Sequence, residues 1–131
     1  MMDTPALATS AVALLAPYLV KGSEAFAKKV GDAAFAGVGK LSVLVKEKLT
    51  GRAEEALADL EKDPNSEDNQ ADLRKQLKKA MEEDQAFAEE IRALVEDVKA
   101  KGGDQVSQIM NVTGDNNQSY QISGSGNVIN T

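Results

Sequence analysis

A chain of 131 residues has room for one domain, or for one domain with a tail. It carries 15 Lys and Arg against 21 Asp and Glu, a net charge of −6, the wrong sign for a nucleic-acid-binding surface. With no Cys and no His, disulfides, thiolate or imidazole metal sites and every Ser-His or Cys-His catalytic pair are excluded, and no cofactor or enzymatic activity is expected.

The charge is distributed in three blocks. Residues 1–50 hold six Lys and four acids, whereas residues 51–103 hold nine basic and fifteen acidic residues. Residues 104–131 carry only Asp104 and Asp115 and no cation. The Gly102-Gly103 pair marks the boundary, so the chain divides into a helical domain, 1–103, and a tail, 104–131.

The first helix is expected to start at Thr4-Pro5, with Thr4 as cap and Pro5 in the first turn. Ala6 to Val20 is almost wholly apolar, and Pro17 should kink the helix or end it near Ala16. A second helix is predicted from Ser23 to Leu49, with Phe26, Val30, Ala34, Leu41, Leu44 and Leu49 forming its apolar stripe and Gly37 at a gap. A short helix from Arg52 to about Leu60 follows, closed by Asp63-Pro64-Asn65. Leu73, Leu77 and Met81 define a helix starting near Ser66. Asp84 caps a last one, whose stripe is Phe87, Ile91, Leu94 or Val95, and Val98. The opposite faces, with Arg74, Lys75, Lys78, Lys79, Glu82, Glu83, Glu89, Glu90 and Asp97, read as solvated surface laced with helix-spaced ion pairs. Each stripe needs a neighbour to bury it, which makes a small helical bundle the expected assembly.

The tail changes character. Val106, Ile109-Met110, Val112, Tyr120 to Ile122 and Val128-Ile129 are short β-prone pieces separated by turn formers. Residues 111–117 are echoed at 121–127 in the order amide, aliphatic, hydroxyl, Gly, two turn formers, Asn. Val112, Gly114 and Asn117 thus correspond to Ile122, Gly124 and Asn127. Two strand-then-turn units with little charge and no Pro suit in-register stacking of many copies, with amide ladders between layers. The expected fold class is therefore mainly α, a small bundle with a C-terminal Gly/Asn/Gln-rich β-arc tail.

The segment Tyr120-Gln121-Ile122-Ser123-Gly124-Ser125-Gly126-Asn127-Val128-Ile129 resembles the RIP homotypic interaction motif and the bacterial amyloid-signalling sequences related to it. The shared elements are Gln121, Ile122, Gly124 and Asn127; Tyr120 stands at an aliphatic position and Ser123 is an insertion. The helical part, through Leu14-Leu15-Ala16-Pro17-Tyr18-Leu19, Glu24 to Lys29 and Asp63 to Glu67, is similar to small bacterial proteins of this layout. The resemblance implies a role in bacterial defence or regulated cell death. It also implies self-assembly through Tyr120, Gln121, Ile122, Gly124, Asn127, Val128 and Ile129, to which the internal echo adds Val112, Gly114 and Asn117. The partners it implies are further copies of the chain and an upstream sensor with a similar motif.

A membrane is the third candidate partner. Leu14, Leu15, Leu19 and Phe26 are the candidate membrane-facing residues, and Lys21, Lys28 and Lys29 are placed to meet anionic headgroups. Ala6–Val20 is nevertheless shorter than the roughly 20 residues of a spanning helix, and no basic segment precedes it. The expected location is the cytoplasm, with movement to the inner membrane face on assembly. Ala34 to Leu41 has the outline of a phosphate-binding loop. Ala34 stands where its first Gly belongs and Leu41 where a hydroxyl is needed, within a helical pattern, so it is not one. Two other readings remain: a structural oligomer with a closed β-stack, and a helical protein-binding adaptor with a disordered tail.

Overall fold

The computed structural model describes residues 3–20 and 24–115, and among these six helices follow one another. They are α1 (Thr4–Leu19), α2 (Glu24–Val30), α3 (Asp32–Lys48), α4 (Arg52–Lys62), α5 (Glu67–Glu83) and α6 (Gln85–Asp115). There is no strand among the described residues.

The starts follow local chemistry. Asp3, not Thr4, caps α1, its Oδ1 accepting the Ala6 N–H at 2.9 Å. Asp is among the strongest N-cap residues, which shifts the predicted cap by one position. Ser66 Oγ accepts from Asn69 N at 3.2 Å where a helix was expected to start, and Asp84 Oδ1 accepts from Phe87 N at 3.1 Å, the cap that the sequence predicts. Pro17 does not stop α1, which continues to Leu19. It lies in the final turn, where a missing N–H removes a single bond before the helix ends anyway.

The predicted second helix is two helices. Gly31 takes φ 91°, a left-handed conformation that only Gly adopts without strain. Its N–H bonds back to Ala27 O at 2.9 Å, and its carbonyl accepts from Phe35 N at 2.9 Å, closing α2 and opening α3. The buried stripe nevertheless runs on through the break into α3. Ala34, Val38, Leu41 and Val45 face inward with no exposure, while Leu44 is only partly buried. The Phe26 and Phe35 rings meet edge-on at 6.1 Å across the bend.

A helix that is apolar on every side belongs at the centre of a bundle. α1 is such a helix: Leu7, Ala8, Ala11, Val12, Leu14 and Leu15 are buried, and it packs mainly against α6 and α5. α5 contributes Leu73, Leu77 and Met81, and α6 contributes Phe87, Ile91, Val95 and Val98, matching the predicted stripes. α3 and α6 cross closely. A Cβ built on Gly37 would lie 2.7 Å from Val98 Cγ2, and one on Gly102 would lie 3.2 Å from the Ala34 Cβ. These two contacts make α3 and α6 antiparallel.

The acidic surface is laced as expected: Lys78–Glu82 at 3.8 Å, Arg92–Glu89 at 2.6 Å and Lys101–Asp97 at 3.0 Å are all one turn apart. Longer-range pairs tie helices together, Lys46 to Glu61 at 3.4 Å and Arg52 to Asp72. Burial lowers the pKa of the Arg74 guanidinium, with Glu67 acting in the opposite direction.

The largest departure from the sequence reading lies at Gly102-Gly103. It is a bend inside the last helix, with Gly103 at φ 58° and ψ −134°, and the helix resumes as far as Asp115. Val106, Ile109 and Met110, read above as strand, are helical. Val106 is fully buried and Met110 nearly so. Their spacing of three and four places them on one helical face, and burying that face outweighs the β preference of isolated residues.

Candidate functional site

The junction of α1, α2 and α6 holds what the structure describes of the predicted functional residues. Beyond the bend at Gly103, the second arm of α6 buries Val106 and Met110 in the core and leaves Ile109 partly buried against it, lining one groove with Ala13, Ala16 and Phe26. Val112 and Gly114 fall in the helical backbone of this arm. Asn117, Tyr120, Gln121, Ile122, Gly124, Asn127, Val128 and Ile129 lie outside the described residues.

The candidate membrane-facing residues sit on the other side of this junction. Leu14 and Leu15 have no exposure, Phe26 is buried, and Leu19 is partly buried against the core. None of Leu14, Leu15 and Phe26 is presented to solvent in the folded bundle. A fully buried Leu is stabilised by roughly 1.5–3 kcal/mol relative to exposure, so presenting both to a bilayer requires the bundle to open. No helix among the described residues is long and apolar enough to cross a membrane.

Between these groups runs an open groove of about 510 Å³. Its apolar floor includes Ala16, Pro17, Phe26 and Ile109, and Gln70 and Gln108 contribute amides to its walls. Gln70 is already engaged, its Nε2 donating to Pro64 O at 2.8 Å. The lining is mixed, apolar at the floor and amide at the walls. It carries no pair of groups suited to proton transfer, and no cluster of three or more acidic side chains among the described residues is placed to hold a metal.

Sequence reasoning missed the second arm of α6 as a packing element. The signal was the spacing of Val106, Ile109 and Met110, hidden by a β-prone composition and by the preceding Gly pair. Compared with protein-family models, with curated proteins and with solved structures, the chain matches none.

Proposed function

We propose that this chain is a bacterial signalling or cell-death adaptor whose C-terminal tail assembles homotypically and thereby clusters the helical bundle. One observation carries the proposal: the ten-residue echo of 111–117 at 121–127, within a stretch that has no Lys or Arg. Repeated units of this kind bury themselves by stacking identical copies, since two short arcs alone enclose too little apolar surface; residues 111–115, helical in the folded chain, have to unwind to join such a stack. The core cluster, built from residues between Leu7 and Met110, supplies the cargo to be concentrated. An upstream sensor with a similar segment would template the stack, and a membrane is a target only for a bundle that has opened.

The full chain is the material for the test. Assembly should give fibrils with the ~4.7 Å reflection of stacked strands, and Ile122→Asp or Gly124→Asp should abolish them by repeating one buried charge in every layer. A chain that stays dispersed at high concentration, or variants that assemble as readily, would remove the proposal. A discrete mass of a few subunits would favour the closed oligomer instead. The burial of Val106 favours that second reading, because it ties the start of residues 104–131 to the bundle itself.

A further inference from the structure

Away from the junction, α3 and the first arm of α6 leave a second groove of about 740 Å³. Its floor is Ala36, Gly39, Val43 and Leu44 from α3 with Ala93 and Leu94 from α6. Tyr18 closes one side, its hydroxyl 3.1 Å from where a Gly39 Cβ would stand. Val43 is 57% exposed and is the one large apolar side chain so exposed among the described residues. Other large apolar side chains are buried or partly buried, so this face is where one stands open to solvent.

The charges at this face are ordered. Lys40 and Glu47 line the groove two turns apart on α3, about 10 Å along the axis. The antiparallel packing of α6 brings Glu90 to the Glu47 end. None of Lys40, Glu47 and Glu90 forms an ion pair among the described residues. Asp97, toward the Lys40 end, is held by Lys101. The face therefore has a cationic end, an apolar centre and an acidic end.

Such a pattern complements itself when one copy is turned end for end. We propose that the α3–α6 face centred on Val43 is an isologous interface between two copies of this chain. A two-fold axis passing between Val43 and Leu44 sets Val43 of each copy against the partner's Leu44. The same axis sets Lys40 of each copy against the partner's Glu47, so both ion pairs form at once. Ala36 and Gly39 let the two α3 backbones approach, and the partner fills the space over Tyr18. This contact is separate from the tail and holds whether or not the tail stacks.

The test is sedimentation of the 131-residue chain carrying Ile122→Asp, which removes tail stacking from every arm. A reversible dimer is expected between ~10 μM and ~1 mM. Val43→Glu should weaken it at least tenfold, a change at an exposed position whose helical circular dichroism should match that of the parent. Lys40→Glu and Glu47→Lys should each weaken the dimer roughly tenfold, and the two together should restore it to within about threefold. A dimer indifferent to Val43→Glu, or a charge swap that fails to restore, overturns the interface. A monomer at every concentration also overturns it, whether the groove is then open or covered by another segment of the chain.

Discussion

Val106 decides whether the second arm of α6 belongs to the bundle. Val106→Ala removes two methyl-sized groups from a side chain with no exposure. At about 0.8 kcal/mol for each group, the lost burial is about 1.6 kcal/mol, and the cavity left in the core brings the cost to roughly 2 kcal/mol. In a domain of this size that lowers Tm by about 8 °C. Met110→Ala should cost about 2–3 kcal/mol, and the double substitution less than the sum, because the two residues are one turn apart on the same face. The assay is urea and thermal unfolding followed by helical circular dichroism, on chains carrying Ile122→Asp so that assembly does not contribute. Gln105→Ala, at an exposed position one residue away, is the control and should stay within about 0.5 kcal/mol. If Val106→Ala unfolds together with that control, the arm is not docked and the argument from burial fails.

Two further outcomes follow from the same packing. Gly31→Val should cost about 1–2 kcal/mol in urea unfolding, because φ 91° is closed to a branched side chain; an unchanged midpoint would contradict the break between α2 and α3. Leu14→Glu should abolish the cooperative helical melt, since it places an unpaired charge at a site with no exposure, and a native-like melt would refute that placement of α1. Loss of any cellular effect in that variant would consequently report unfolding rather than a lost membrane contact.

The legible parts of the fold were those where a cap and a stripe agree. Ser66 with Leu73, Leu77 and Met81, and Asp84 with Phe87, Ile91 and Val98, marked the start and the buried face of two helices. The break at Gly31 was hidden because Phe26, Val30 and Ala34 keep helical spacing straight through it, so the stripe alone cannot show that the backbone has turned. Val38 and Val45 extend the same stripe, four residues after Ala34 and four after Leu41, and that spacing was signal enough to find them. At the candidate site, β-branched and amide residues masked the i, i+3, i+4 relation of Val106, Ile109 and Met110. Leu14 and Leu15 were legible as apolar, but apolarity does not distinguish a core from a membrane-facing surface. Only the packing of α1 among its neighbours does.

The central position of α1 also bears on how the chain acquires its fold. α1 leaves the ribosome before α5 and α6, its main packing partners. Roughly ninety residues separate Val12 from Val106 in sequence, so the core closes through contacts of long range, which slow folding. During synthesis a fifteen-residue apolar segment is therefore exposed for longer than any other part of the bundle. At about 5–20 residues per second, the chain from α1 to the second arm of α6 takes on the order of 5–20 s to appear. Over that interval the segment is open to holdases, to other nascent chains and to lipid. The apolar surface of α1 is thus most accessible before the bundle exists, and it is covered once α5 and α6 pack on it.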